Sequence, residues 1–227
     1  MLNSTPGSLH IRLLLCLTIF SFQLVAQNIN VAQEDSLIFS QRAVSIHGKQ
    51  YNGFLTRNGF QLLSVNQQAF FNAPGDYFDW QVKDFNKDGF KDIYLNKGGN
   101  TPERFDLFLY LPKTKTFRQV VDFENFPATE NIPGTKYFYS YHRSGCADMN
   151  WDSDLFYIKD FKAVRIANIS GRECENSVEK DGLYVNKVRG VEKRLFKTLP
   201  IDTVHKFKND KWGFIKKYWS ENYKIFL

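Results

Sequence analysis

Prolines are scarce, with seven in 227 residues, glycines number 14, and there are only three cysteines. These counts exclude collagen-like and low-complexity chains and a cysteine-dense scaffold. Past residue 26 no apolar run approaches the ~18–20 residues that a membrane-spanning helix requires. HExxH, GxSxG and CxxC or CxxH pairs are all missing, so the common signatures of zinc proteases, serine hydrolases and zinc ribbons are not there. Beyond residue 26 the histidines are His47, His142 and His205, far apart in sequence. No arrangement of nucleophile and base stands out, and the chain is expected not to be an enzyme.

Aromatics are plentiful: 22 Phe, 11 Tyr and four Trp make 16% of the chain. That much buriable surface excludes a disordered chain, and flat rings favour pleated surfaces. Lys and Arg total 30 against 24 Asp and Glu, a formal charge of +6. The basic residues are scattered. Their densest group, Lys206, Lys208, Lys211, Lys216 and Lys217, reads as a solvated face, so nucleic acid is not an expected partner.

The N-terminus reads as a secretory signal. Arg12 precedes the apolar run from Leu13 to Phe22, and Leu24-Val25-Ala26-Gln27 offers a small residue before a polar one. Cleavage after Ala26 leaves a flexible segment, 27–39, and a single domain, 40–227, destined for the periplasm or for secretion. It also leaves two cysteines, Cys146 and Cys174. In an oxidising compartment an even pair reads as a disulfide, worth ~3–4 kcal/mol in the chain-entropy model. Two free buried thiols are the alternative.

Short extended runs follow one another from Ser40. Turn signals separate them at His47-Gly48, Arg57-Asn58-Gly59, Pro112 to Lys115, Asp160-Phe161-Lys162 and Arg189-Gly190. Helical periodicity is poor. The stretch from Val204 to Leu227 is compatible with a strand pair around Asn209-Asp210 or with a short helix. The spacing predicts an all-β fold, an antiparallel β-sandwich or a barrel-like sheet pair, with a short calcium-binding loop between strands.

That loop is the one sharp chemical motif. Residues 84–92 read D-F-N-K-D-G-F-K-D. Oxygen side chains at alternate positions, Asp84, Asn86 and Asp88, converge when the backbone wraps around a point. Gly89 permits the turn, the Phe90 carbonyl is placed as a fourth ligand, and Asp92 as a fifth, directly or through water. Hard oxygens in this number suit calcium better than magnesium. The twelfth position, where an EF-hand loop has a bidentate Glu, is Leu95. The loop is therefore similar to the shortened type that bridges two strands in FG-GAP-like repeats.

The string Trp80 to Leu95, followed by Phe108-Leu-Tyr-Leu-Pro-Lys-Thr-Lys-Thr-Phe117, resembles the XAC2610-related family of exported bacterial proteins. The resemblance implies a β-rich fold similar to periplasmic inhibitors of invertebrate-type lysozyme. It implies a protein partner, a muramidase or a toxin-like peptidoglycan hydrolase. Such inhibitors present a Ser-Gly-x-x-Tyr loop to the enzyme cleft. Here His142-Arg143-Ser144-Gly145 supplies the Ser and Gly, and Asp148 stands in place of the Tyr. A different reading makes the chain a calcium-stabilised envelope or carbohydrate-binding module, with Tyr137, Tyr139, Tyr141 and Trp151 stacking on sugars. Asp152 and Asp154 read as a solvated loop, or as a glycosidase-like carboxylate pair.

Overall fold

The computed structural model describes residues 38–100, 103–174 and 180–227. The expected signal peptide and all but the last two residues of the 27–39 segment lie outside them. Among the described residues no helix is long and apolar enough to cross a membrane.

Among the described residues, fifteen strands form three antiparallel sheets. The first is a meander of β1 (Ile38–Ile46), β2 (Lys49–Thr56), β3 (Gly59–Ser64) and β4 (Ala69–Pro74). The second is a meander of β5 (Asp79–Lys83), β6 (Asp92–Asn96), β7 (Phe105–Leu111) and β8 (Thr116–Gln119). The third takes β9 (Glu130–Asn131), β10 (Tyr137–Tyr139), β11 (His142–Arg143), β12 (Trp151–Lys159), β13 (Lys162–Arg172), β14 (Gly182–Arg189) and β15 (Glu192–Leu199). Its order is β15-β14-β13-β12-β10-β9, with β11 also on β12. The fold is all-β and sandwich-like, and none of the sheets closes into a barrel.

The turns fall where the small and polar residues sit. Asn58 donates its backbone N–H to Thr56 Oγ1 at 3.2 Å between β2 and β3. Asp160 and Phe161 are both left-handed, with φ of 50° and 61°, the twist a tight hairpin needs.

The layers explain the burial pattern. Ile46, Leu55, Phe60 and Leu62 of the first sheet share a core with Trp80, Ile93, Leu95 and Phe108 of the second. Tyr94, Leu107 and Leu109 point the other way, into a core with Phe138 and Phe156 of the third sheet. The middle sheet is therefore covered on both faces, and Asp92 to Leu95 are all buried. The far face of the third sheet, including Trp151, Leu155, Ile169 and Val185, is covered by Phe214, Ile215 and Trp219. Those residues belong to α1 (Asp210–Asn222), so the C-terminal segment is helical, and no strand pair forms around Asn209. Each fully buried large apolar side chain contributes ~1.5–3 kcal/mol, which favours the stacked arrangement over separate half-exposed sheets.

Candidate functional site

Two loops carry the predicted site residues. The first, between β5 and β6, is braced by its own backbone. Asp84 accepts N–H groups of Asp88 and Gly89 at 3.2 and 3.0 Å, and Asp88 accepts that of Phe90 at 2.8 Å. Asn86 accepts the Asp88 N–H at 3.1 Å and donates its amide to Asp88 at 2.9 Å. Lys87 and Gly89 take positive φ, 61° and 88°. Phe90 leaves this ring and tilts against His47, centroids 5.0 Å apart. The His47 ring lies 4.1 Å from Tyr110, and Lys91 Nζ donates to the Ser45 carbonyl at 3.0 Å. The turn is thus docked on the β1–β2 hairpin.

Asp92 does something else. It is fully buried, and its two oxygens accept the N–H groups of Phe85 and Tyr110, both at 2.9 Å. It ties the start of β6 to the loop and to β7. Burial pushes its carboxyl up to about 6; the two N–H groups oppose this, and the nearby charges of Asp88 and Asp84 add to it. Asp84, Asn86 and Asp88 are exposed hard-oxygen donors of the kind calcium takes. Among the described residues, however, no three His, Cys, Asp or Glu side chains come together as a group able to hold a metal ion.

The second loop runs from Tyr141 to Asp148. Cys146 is bonded to Cys174, which anchors the loop to the end of β13. Asp148 is held by the Tyr141 hydroxyl and by Lys211 Nζ at 2.7 Å. Lys211 also donates to the Asp148 carbonyl at 2.9 Å, so helix α1 clamps the loop. Burial alone would raise the Asp148 carboxyl, but hydrogen bonds from Lys211 and Tyr141 hold it below its ordinary range. Gly145, Cys146, Ala147 and Asp148 have φ of 109°, 52°, 49° and 78°. Four successive residues in that region, three of them not glycine, store backbone strain. Arg143 to Ala147 are exposed on the outside.

Beneath this loop lies a buried polar row that the sequence reading assigned to solvent. Asp152 and Asp154 sit on β12, 8% and 0% exposed, opposite Ser170 and Asn168 of β13. Ser170 Oγ donates to Asp152 at 2.5 Å, and Asn168 Nδ2 to Asp154 at 2.9 Å. Arg172 lies 3.3 Å from Asp152, and Arg165 2.9 Å from Asp154. Burial opposes ionisation of Asp152, but Ser170, Ser144 and Arg172 together lower its pKa. His142 Nε2 is 3.7 Å from Asp154. On the opposite face Ser153 accepts from Trp219 at 2.8 Å. The solvated-loop reading is therefore corrected: both carboxylates are interior and matched to arginines. The signal was the cross-strand match of D-S-D on β12 with N-I-S on β13, visible only once the pairing is known.

Of the four aromatics expected to form a sugar platform, three are interior, and Tyr137 is half-buried. Tyr139, Tyr141 and Trp151 are buried, and Tyr139 donates to Glu130 at 2.5 Å.

No protein-family model and no curated protein matches the chain. Among solved structures, one described as "Structure of a Xanthomonas Type IV Secretion System related protein" is similar at 14% identity and a TM-score of 0.43, over 71% of this chain and 87% of that one. A likeness of this degree says nothing of function.

Proposed function

We propose that this is an exported, calcium-binding, non-enzymatic protein that binds and inhibits a peptidoglycan-cleaving enzyme through its Tyr141–Asp148 loop. The observation that carries the reading is the strained backbone from Gly145 to Asp148, pinned by a disulfide and a lysine while Arg143 and Gly145 face outward. Strained, over-determined segments cluster at binding sites. A loop fixed before docking loses little entropy on binding.

The chemistry fits the partner class. A muramidase cleft holds two acidic groups flanking the scissile bond. A guanidinium such as that of Arg143 meets a carboxylate with two parallel hydrogen bonds. The Gly145 backbone adds neutral polar contacts, while the Ser144 side chain turns inward to Asp152. His142 sits beneath, against Asp154, and positions the strand. The departure at position 148 has a physical sense here: Asp148 turns inward as the brace that Lys211 and Tyr141 grip. Calcium, in this reading, is held by Asp84, Asn86, Asp88 and the Phe90 carbonyl, and Asp92 positions the loop from within.

The deciding experiment titrates the mature chain into an invertebrate-type muramidase acting on peptidoglycan. Near-stoichiometric block, weakened in Arg143→Ala with unchanged folding, is the expected result. Full muramidase activity at excess protein overturns the reading. Retention on purified peptidoglycan without any block favours an envelope-binding module in its place.

A further inference from the structure

The positive charge of the chain is unevenly placed. Residues 182–227 hold eleven Lys and Arg against four Asp and Glu, a net +7, while residues 1–181 hold nineteen against twenty, a net −1. Much of this excess lies on the β14–β15 ribbon.

Strand β15 is the terminal strand of the seven-stranded sheet, and among the described residues it pairs only with β14. All of Glu192 to Thr198 is exposed. A strand in this position presents a row of unpaired N–H and C=O groups. It also carries apolar side chains: Leu195 is 56% and Phe196 45% exposed, and Val191 at the hairpin tip is fully exposed. Between them stand Lys193, Arg194 and Lys197, with Arg189 on the neighbouring strand. None of these four cations takes part in an ion pair within the described residues.

Edge lysines ordinarily protect a sheet from pairing with its own copies. That protection is selective. A second copy of β15 would set cations against cations across the new ladder, which is destabilising. A strand of opposite charge meets the reverse: its carboxylates on one face meet Arg194 and Lys197, its apolar residues on the other cover Leu195 and the stem of Lys193, and its backbone completes the ladder. The register shift between Val185 and Asn186 leaves Phe196 as the extra residue opposite β14. Phe196 packs on Phe226 with ring centroids 5.6 Å apart, so the bulge is anchored while the outer edge stays open.

We infer that β15 is a docking edge for an acidic, extended segment of a partner protein, added as an eighth strand. The inference does not use the Tyr141–Asp148 loop and stands whether or not that loop inhibits a muramidase.

The test uses the mature chain and a short synthetic peptide of alternating Glu and Val. Poly-Glu and alternating Lys-Val peptides serve as controls. Glu-Val binding by fluorescence anisotropy, with new amide-exchange protection confined to β15, supports the inference. So does a loss of about tenfold in affinity for Arg194→Glu/Lys197→Glu; both positions are exposed, and circular dichroism verifies that the variant is folded. No binding of Glu-Val overturns it. Equal binding of poly-Glu without β15 protection also overturns it, and assigns the charge to a disordered polyanion.

Discussion

The turn at 84–92 and the loop at 141–148 leave their sheets in similar ways and are held in opposite ones. The exposed part of the first, Asp84 to Phe90, is braced by hydrogen bonds among neighbours in sequence, within five residues of one another. Asp84 and Asp88 lie near enough to the buried Asp92 for their charges to add to the upward shift of its carboxyl. The second is gripped from far away, by Cys174, 28 residues on, and by Lys211, 63 residues on. Its acidic residue is neutralised by the protein's own cation. If the first loop holds calcium as proposed, the ion supplies the countercharge that the second loop takes from Lys211. A distantly braced loop with its charges matched is built to keep one shape.

The comparison is broken most readily at Asp92, the one residue of the acidic motif that reaches the core. Asp92→Ala leaves the Phe85 and Tyr110 N–H groups without acceptors. At ~1–3 kcal/mol for each buried unpaired donor, the loss is about 2–6 kcal/mol. Asp88→Ala, on the exposed part of the same motif, is expected to change stability by no more than ~0.5 kcal/mol. Denaturant unfolding of both variants checks this. Equal losses would mean that the motif acts as one unit and that its division into a surface part and a core part is wrong.

Next in size is the disulfide. Cys146→Ser/Cys174→Ser is expected to lower unfolding stability by ~3–4 kcal/mol and to raise amide exchange in 143–149. Exchange in 84–92 should not change. A rise in both loops would show that they are coupled through the core.

Calcium sharpens the contrast from the other side. A ligand that binds only the folded state at ~100 times its Kd adds ~2.7 kcal/mol. Added calcium should therefore raise the Tm of the wild type, and chelation should reverse the rise. In Asp84→Asn/Asp88→Asn the Tm should not respond. Unchanged melting of the wild type across the calcium titration would remove the metal from the account and leave an acidic turn held by hydrogen bonds alone.

The legible part of the fold followed from local chemistry. Turns at Asn58-Gly59 and Asp160-Phe161, strands rich in Phe and Tyr, and the Cys146–Cys174 pair could all be read along the chain. What could not be read depends on what comes to lie opposite. Asp92 is one of five oxygen positions in the motif, yet its burial follows from its place at the start of a middle-layer strand. Asp152 and Asp154 look like loop residues until Ser170, Asn168, Arg165 and Arg172 are set against them. The C-terminal helix was hidden because its apolar face is mostly aromatic, through Phe214, Tyr218 and Trp219, and its N-terminus opens on left-handed Asn209 with no side-chain cap.

The smallest effect concerns His142, which joins the distantly braced loop to the polar row. Burial works against its charged form, but the charge of Asp154, 3.7 Å away, and that of Asp152 behind it raise its pKa above the ordinary 6.5. For a base whose folded pKa is raised, the stabilising contribution is full below the unfolded value and is lost as pH climbs through the folded one. Wild-type stability should thus decline relative to His142→Gln as pH rises from below 6.5 into the alkaline range. Ring-proton NMR should place the titration above 6.5, and Asp154→Asn should move it down. If His142 titrates below 6.5 in the wild type, desolvation outweighs Asp154. The polar row is then a support for the loop's shape that leaves its charge untouched.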